Sequence, residues 1–475
     1  MQARAGRVPR APGLVWLTLV ALLSSACGGT AAPSSAGTAA TSAAPASAGA
    51  PASEGPGGSQ APAGYTGPKV TLTYAHGFTG PDGPIMQVLV NTFKQSHPNI
   101  AIEASAVPWG DTFATLAERA AAGQAPDLVA VTEDQIGYFM ASGALQDLTD
   151  DIAALGVKES EFFPNFVSVV KWKDRQYGLP FSSAAFVMYY NKKLMNTAGI
   201  SAVPETHDDF LAAAKACTTD GAGKHPGDAG FDAASTATWG TVVPLPWVGG
   251  TVGYGLLRGA DGDLVDTDLN ASFNSAAGQK AAQFLLDLSK TDQVSPPAPT
   301  EEVEVGTFQS GKSCFDITGV WKLTDYRNAL KADLGVAFQP ELTGKQAAWG
   351  AAVFMTLPKQ ADGYDPNKRA AALEFSRWMA GHDAVLSWTE SGALPVRPDV
   401  ASDPAYASNI MAPVAASLDK IFIPAGWPWV SAVRTSWDAA LERIMQQKEP
   451  VEQSLTDGVK EANDNITQQR AALGL

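Results

Sequence analysis

The sequence predicts an α/β protein divided into two lobes, and three observations support this prediction. Strands and helices alternate with short loops from residue 70 to residue 131, a pattern typical of a parallel sheet flanked by helices. The extended run 177–190 is split at residues 180–183 and is too long for one ordinary strand. It is either a segment that crosses between two lobes or two consecutive strands of one large domain. The 475 residues are enough for two or more domains.

The composition is that of an acidic globular protein. Hydrophobic residues make up 45% and charged residues 17% of the chain, which fits a packed core. The net charge is −15, and removing residues 1–26 would take away three arginines and shift it to −18. This charge argues against nucleic acid as a partner, because binding its backbone needs clustered Lys and Arg. It favours a neutral or cationic ligand.

No motif in the sequence indicates a metal site, a cofactor or hydrolytic catalysis. We find no His-Glu-x-x-His, no Gly-x-Ser-x-Gly and no P-loop. Gly250–Gly255 superficially resembles a phosphate-binding loop, but its spacing is wrong and it follows Trp247 rather than opening a helix. We therefore predict a flexible loop there, and no metal and no cofactor.

The N-terminus predicts export and a tether. Three arginines, a short apolar run and small residues up to residue 26 form a signal peptide that is too short to be a transmembrane helix. The small residues before Cys27 resemble a bacterial lipobox, with Ser24 where that pattern has Leu or Val. We expect Cys27 to be lipidated; simple signal cleavage is the alternative. Residues 27–64 are almost entirely Gly, Ala, Ser, Thr and Pro, which predicts a disordered linker about 35 Å across.

In the first lobe, the predicted elements are strand 70–74, helix 84–95, strand 100–107, helix 112–122 and strand 128–131. The loops that follow these strands are His76–Thr79, Pro108–Asp111 and Thr132–Gln135. Ligands of parallel sheets bind beyond the carboxyl ends of the strands. These loops are therefore the predicted ligand-binding edge.

In the second lobe, Phe186–Tyr190 predicts a strand buried on both faces, and Asn191 is the predicted N-cap of a short helix. Further on, the predicted helices are 275–288, 437–447 and 450–473.

Two groups of motifs carry a resemblance to a known family. Tyr-Gly-Leu-Pro-Phe from Tyr177, followed by Tyr-Tyr-Asn-Lys-Lys-Leu, is one, and Cys-Phe-Asp-Ile-Thr-Gly-Val-Trp from Cys314 is the other. Together they resemble the extracellular solute-binding proteins of ABC importers, in particular the sugar-binding branch that includes maltose-binding protein. The resemblance extends from about Val70 to Asn465.

This resemblance implies a two-lobed, periplasmic-binding-protein-like clamshell. Each lobe would hold a mixed, mostly parallel sheet flanked by helices. Residues 65–180 plus 350–400 would form lobe one, and residues 181–349 plus 401–475 would form lobe two. The hinge would lie near Pro180, Trp349 and residues 397–404.

The function that the resemblance implies is binding without catalysis. The protein would capture a mono- or oligosaccharide and deliver it to the permease subunits of an ABC transporter. It would do so outside the cytoplasm as a monomer, anchored to the bacterial cell membrane through Cys27. One alternative is the same fold with a non-sugar solute, such as a peptide, a polyamine or a glycerophosphodiester. Another is a glycosidase that uses Glu133 and Asp134, but adjacent residues on one loop rarely face each other across a bond.

Tryptophans outside helices and strands suit a sugar, because a pyranose packs its C–H faces on indole while its hydroxyls need acids and amides. In the relatives, an Asp at the position of Asp134 contacts the sugar, and the Trp of the Gly-x-Trp motif lies against the ligand. The predicted ligand-binding residues are His76, Phe78, Thr79, Trp109, Asp111, Glu133, Asp134, Phe181, Trp239, Trp247, Gly319, Trp321, Trp349, Trp427 and Trp429.

Two cysteines of the second lobe, Cys217 and Cys314, predict a disulfide bond. An exported protein meets oxidising conditions, and these are the two thiols that remain if Cys27 is lipidated. Two separate buried thiols are the alternative.

Overall fold

The structure is a computed structural model that describes residues 64–424 and 426–475. The predicted signal peptide, the predicted lipidation site Cys27 and nearly all of the predicted linker lie outside the described residues.

The strands of the described residues are β1 (Val70–His76), β2 (Ile100–Ala106), β3 (Leu128–Thr132), β4 (Lys171–Trp172), β5 (Arg175–Gln176), β6 (Gly178–Asn191), β7 (Thr219–Asp220), β8 (Thr236–Thr238), β9 (Phe315–Gly319), β10 (Leu334–Ala337), β11 (Ala348–Thr356) and β12 (Ile421–Phe422).

The helices are α1 (Gly83–Ser96), α2 (Trp109–Ala121), α3 (Glu133–Ala141), α4 (Thr149–Ala154), α5 (Pro164–Val169), α6 (Lys192–Thr197), α7 (His207–Cys217), α8 (Trp247–Gly259), α9 (Ala276–Lys290), α10 (Val303–Gln309), α11 (Leu323–Leu330), α12 (Pro366–Met379), α13 (His382–Trp388), α14 (Pro398–Ala401), α15 (Ala412–Ala415), α16 (Val430–Met445) and α17 (Val451–Leu473).

One curled sheet organises the fold. Its strands follow the order β10-β6-β11-β3-β1-β2, with β9 also paired to β6 and β12 to β11. The pairs β1–β2 and β1–β3 are parallel, as the alternation of strands and helices predicts. Around β6 the pairs with β9, β10 and β11 are antiparallel. The mixed α/β prediction is thus confirmed, with the parallel pairs concentrated in the first part of the chain.

Strand β6 is continuous where the sequence predicted a break. All 14 residues belong to one strand, and the interruption at residues 180–183 is a shift in register. Ser182 pairs with Val353 and Pro180 pairs with Phe354, which leaves Phe181 as an extra residue. The expectation that this run is too long for one strand was wrong, because a β-bulge accommodates Pro180 without ending the strand.

The hydrophobic core has two main parts, and β6 and β11 run through both. The first core gathers residues between Val70 and Phe181 with residues 352–400. The second core gathers residues between Phe186 and Trp349 with residues 429–466. A smaller cluster lies on the other face of β6 and includes Tyr189 and Tyr326. This distribution is compatible with the predicted division into lobes, whose boundaries stay a prediction.

Two local expectations find counterparts in the structure. The Asn191 side chain accepts a hydrogen bond from the Leu194 amide at 3.1 Å, so the predicted N-cap of α6 is confirmed. Cys217 at the end of α7 and Cys314 just before β9 are joined by a disulfide, with their Cα atoms 6.1 Å apart.

The glycine-rich stretch after Trp247 is helical, so the predicted flexible loop is wrong. Trp247 is the first residue of α8, and almost all of that helix is buried. It packs against α9 and α16. A Cβ atom on Gly253 would lie 2.6 Å from the Leu441 side chain, so close helix packing outweighs the low helix propensity of glycine.

Candidate functional site

A cavity of about 610 Å³ lies between the first and second cores. The side chains from the first part of the chain that line it include Phe78, Thr79, Trp109, Thr132, Glu133 and Asp134. Those from the second core and from α16 include Trp247, Trp321, Trp349, Arg434 and Asp438. The cavity is large enough for a small organic ligand.

Three tryptophans form one wall of the cavity, which we call the aromatic wall: Trp247, Trp321 and Trp349. Their ring centroids lie 5.8–6.3 Å from one another, and each lies 5.4–5.8 Å from the buried Phe186 ring. These are contact distances, so no guest fits among the four rings. A ligand must therefore pack against their outer faces, and Trp247 is 40% exposed.

The position of Trp321 depends on the glycine two residues before it. A Cβ atom on Gly319 would lie 2.2 Å from the Trp321 ring, so glycine lets the indole fold back over the end of β9. The Gly-x-Trp motif thus has a steric explanation. Gly319 itself supports the ring and is not among the residues lining the cavity.

A second group of aromatic rings borders the cavity on the side of the first core. The Phe78 ring lies 5.2 Å from Trp109 and 4.7 Å from Trp388. The Trp388 indole donates a hydrogen bond to the Ser182 hydroxyl at 2.7 Å. A Cβ atom on Gly77 would lie 1.9 Å from the Trp109 ring, so glycine at the end of β1 allows this close approach.

Glu133 and Asp134 begin α3 but have different partners. The buried Glu133 carboxyl accepts a hydrogen bond from the Ala352 amide at 3.1 Å. Burial, together with the neighbouring Asp134, raises the pKa of Glu133 well above its usual value. Asp134 accepts hydrogen bonds from the Thr132 hydroxyl at 2.6 Å and from Gln135 at 3.3 Å. The two carboxyls therefore serve separate networks.

Arg434 and Asp438 lie one turn apart on α16. The closest nitrogen of the guanidinium is 3.7 Å from the Asp438 carboxyl and donates to the Thr251 hydroxyl at 2.8 Å. The guanidinium also lies 6.0 Å from the centre of the Trp349 ring. Burial raises the pKa of Asp438 to about 7, although Arg434 opposes the shift. Four carboxyl groups thus line the cavity, on Asp82, Glu133, Asp134 and Asp438, against the single guanidinium of Arg434.

Eight of the predicted ligand-binding residues line this cavity: Phe78, Thr79, Trp109, Glu133, Asp134, Trp247, Trp321 and Trp349. Whether they bind a ligand stays a prediction.

The other predicted residues of the first part of the chain lie elsewhere. His76 is buried and lines a separate cavity of about 360 Å³, and burial lowers its pKa to about 4. Asp111 is exposed in the first turn of α2. Phe181 is buried beneath Trp388, with ring centroids 5.2 Å apart.

The remaining predicted tryptophans have structural contacts. Trp239 pairs with Ser313 in an isolated β-bridge. Trp427 packs against the second core. The Trp429 indole donates to the Leu269 carbonyl at 2.8 Å, and the Arg470 guanidinium lies 4.5 Å from the centre of its ring.

Trp388, Arg434 and Asp438 also line the cavity, although the sequence did not mark them as ligand-binding residues. The spacing of four residues between Arg434 and Asp438 is a helical signal, but the predicted helix began only at residue 437. α16 begins at Val430, so the pair lies on the face of a helix that starts earlier than expected.

The described residues contain neither a candidate membrane-spanning helix nor a candidate metal site. No helix there is long and apolar enough to cross a membrane. In the same part of the chain, no group of three or more His, Cys, Asp or Glu side chains could hold a metal ion.

The sequence model of the bacterial extracellular solute-binding protein family matches residues 88–413. Because this match covers more than half of the chain, the protein belongs to that family.

Individual relatives are distant. A binding protein of Brucella abortus is 28% identical over 144 residues, which are 30% of this chain. The aligned part spans only about a third (34%) of that relative. The sn-glycerol-3-phosphate-binding periplasmic protein UgpB of Yersinia enterocolitica is 25% identical over 342 residues, 68% of this chain and 74% of the relative.

Solved structures share the fold. The ABC substrate-binding protein Lmo0181 of Listeria monocytogenes, in complex with cycloalternan, has a TM-score of 0.71 and 22% identity, covering 84% of this chain and 99% of that one. The maltose/maltodextrin-binding domain MalE of Bdellovibrio bacteriovorus, bound to maltotriose, has a TM-score of 0.70 and 18% identity, covering 84% and 100%. The fold is therefore that of two-domain, MalE-like binding proteins.

Proposed function

We propose that this protein is the substrate-binding component of an ABC importer and that it binds a mono- or oligosaccharide in the cavity. Membership in the solute-binding family supports the role in import. The observation that carries the sugar assignment is the pair of aromatic groups, Trp247–Trp321–Trp349 and Phe78–Trp109, on either side of one cavity that also holds several carboxyl groups.

This combination matches the surface of a sugar. The C–H faces of a pyranose are apolar and pack against indole rings, as other apolar groups do. The hydroxyl groups around the ring need hydrogen-bond partners, because polar groups that lose water without replacement are costly to bury. Glu133, Asp134 and Asp438 are available for this role.

Glycerol 3-phosphate is the second candidate ligand, because the Yersinia relative named for it aligns with 68% of this chain. Arg434 is the observation that favours it, since a guanidinium binds phosphate well. The cavity lining disfavours it, because a phosphate would meet a single guanidinium, which already faces Asp438 and Thr251, beside four carboxyl groups that supply no positive charge. We therefore favour the neutral sugar.

Calorimetric titration of the purified protein tests the assignment. The ligands are maltose, maltotriose, mannobiose, cycloalternan and glycerol 3-phosphate. We expect at least one sugar to bind with a Kd in the micromolar range or tighter, and glycerol 3-phosphate to bind at least about tenfold more weakly. Tighter binding of glycerol 3-phosphate would contradict the sugar assignment.

We also propose that the bound sugar leaves unaltered. Glu133 accepts a hydrogen bond from the Ala352 amide, and Asp134 accepts from Thr132 and Gln135, so the two carboxyls do not form a facing pair. Prolonged incubation with maltotriose followed by chromatography should return maltotriose alone. Shorter products that require the cavity tryptophans would contradict this proposal.

Outside the described residues, we propose that Cys27 carries a lipid anchor and that residues 27–64 tether a monomer to the outer face of the cell membrane. The sequence pattern of residues 1–26, which predicts a signal peptide, supports this arrangement. Mass spectrometry of the N-terminal peptide should find a diacylglyceryl group on Cys27. The Cys27→Ser variant should leave the membrane fraction, and retention there would contradict the anchor.

A further inference from the structure

Helix α8 begins at the cavity, and a residue far away in sequence caps its first turn. The backbone amides of Trp247 and Val248 both donate to one carboxylate oxygen of Glu301, at 2.7 and 3.1 Å. The residue before the helix is Pro246, whose side chain makes no cap hydrogen bond. A carboxylate at this end of a helix is stabilised by the partial positive charge of the aligned peptide dipoles.

The segment that contains Glu301 also contacts the residue that follows the neighbouring tryptophan, Trp321. Both Glu302 carboxylate oxygens accept from the Lys322 ammonium group, at 3.0 and 2.9 Å, and Lys322 directly follows Trp321. One residue earlier, Thr300 pairs with Leu245 in a parallel bridge. Residues 300–302 therefore link the two backbone segments that carry Trp247 and Trp321, whose rings lie 6.0 Å apart.

The contact also has an electrostatic consequence. The free amides of a helix N-terminus attract anionic ligands, and Trp247, the first residue of α8, lines the cavity. In this protein the Glu301 carboxylate accepts hydrogen bonds from two of these amides, so they are not free to bind an anionic ligand. The charge of Glu301 also extends to the cavity wall, where it adds to the raised pKa of Asp438.

We propose that Glu301 is a positioning and specificity-determining residue of the cavity. Its carboxylate holds Trp247 beside Trp321 for sugar binding, and it occupies the α8 amides that could otherwise bind an anionic group of a ligand. This inference rests on the proposed function, because it assigns Glu301 a role in selecting a neutral ligand at the same site.

A double-mutant cycle tests the positioning role. Affinity for maltotriose, or for the tightest sugar of the panel above, is measured for the wild type, E301A, W247A and the double variant. We expect E301A to weaken binding about tenfold in the wild-type background and less than about twofold in the W247A background, because residues that act through one another are not additive. An equal loss in both backgrounds would overturn the proposal.

The E301D variant keeps the charge but shortens the side chain by one methylene group, and it serves if E301A does not fold. It should lose affinity in the wild-type background and not in the W247A background. E452A is the matched control, because Glu452 lies exposed in the first turn of α17. It should bind the sugar as the wild type does.

Titration with glycerol 3-phosphate tests the specificity role. E301A should bind this anion at least about tenfold more tightly than the wild type does, and E452A should not, because only the former frees the amides of Trp247 and Val248 at the start of α8, whose first residue lines the cavity. Unchanged affinity in E301A would overturn the specificity role. If the wild type binds no sugar at all, the proposed function fails. If the wild type binds a sugar but E301A weakens binding equally in both backgrounds, the inference about Glu301 fails while the proposed function stands.

Discussion

Trp321 is the residue on which the sugar assignment depends most. It is half-buried at the end of β9, contacts both other rings of the aromatic wall and lines the cavity. Replacing it with alanine removes a stacking face while leaving Trp247 and Trp349 in place. We expect Trp321→Ala to weaken sugar binding at least about 30-fold, in the range of buried aromatic hot spots. Calorimetry measures the change.

Trp239→Ala is the matched control for this prediction. The sequence predicted Trp239 as a ligand contact, but it pairs with Ser313 and does not line the cavity. Its replacement should leave the sugar affinity within about twofold of the wild type. An equal loss in both variants would show that the aromatic wall has no special role.

Because the carboxyl group of Asp316 is buried, we expect the stability of the protein to depend on pH. Asp316 is buried on β9 and accepts a hydrogen bond from the Tyr326 hydroxyl. Burial raises its pKa to about 8 and the pKa of the nearby Glu304 to about 7. Tyr189, Glu301, Glu302 and Lys322 are further titratable groups around this pair. Both carboxyls are therefore protonated in the folded protein under mildly acidic conditions.

The sign follows from proton linkage. Between the unfolded pKa near 4 and the folded values, the folded state binds more protons than the unfolded state, so stability falls as the pH rises. The melting temperature should be higher at pH 5.5 than at pH 8. Asp316→Asn keeps an acceptor for Tyr326 but cannot ionise, so it should reduce this difference by at least about 2 °C. An unchanged difference would contradict the assignment.

At the scale of elements, the disulfide connects α7 to β9, the strand that ends at the Gly-x-Trp motif. Cys217 and Cys314 are 97 residues apart. In the chain-entropy model, closing a loop of this length stabilises the fold by about 4–5 kcal/mol. The Cys217→Ser, Cys314→Ser variant should lose about that much free energy of unfolding in a urea titration.

A reducing agent provides the control for this prediction. It should destabilise the wild type and leave the double serine variant unchanged. A wild type that is equally stable in both conditions would contradict a stabilising role for the bond.

Single elements also reveal where sequence reasoning succeeds. The N-cap of α6 was predictable because the Asn191 side chain accepts from the amide of Leu194, which is only three residues further on. The strand over Phe186–Tyr190 was predictable because an uninterrupted apolar run indicates burial. Reasoning failed at Pro180, where the partner strand absorbs an extra residue through a bulge. It also failed at α8, whose glycines are explained by the helices packed against it.

At the scale of the whole molecule, β6 and β11 are the connections that a closing motion would bend. Each contributes side chains to both cores, and the cavity lies between them. A ligand that contacts both sides binds the closed form more tightly and shifts the equilibrium towards it. Small-angle X-ray scattering should therefore detect a smaller radius of gyration when the tightest sugar is added at saturating concentration.

The Trp321→Ala variant is the control for closure. It should keep the radius of gyration of the ligand-free protein at the same sugar concentration. Contraction of the variant, or no contraction of the wild type at saturation, would contradict a closure driven by contacts on both sides. The predicted hinge near Pro180, Trp349 and residues 397–404 stays a prediction. Arg397 is buried and bonded to Glu161 and Asp399 at 3.0 and 2.8 Å.

The sequence by itself determined the alternation of strands and helices, the resemblance to solute-binding proteins and the aromatic character of the site, because these depend on neighbouring residues or on short motifs. Only the tertiary structure decided which tryptophans share the cavity. Trp321 and Trp429 are equally aromatic in sequence, yet one borders the cavity and the other binds Leu269. The tertiary structure also places Trp388, Arg434 and Asp438 in the lining of the cavity. Side chains far apart in the chain meet only when the cores pack, and no local pattern records that meeting.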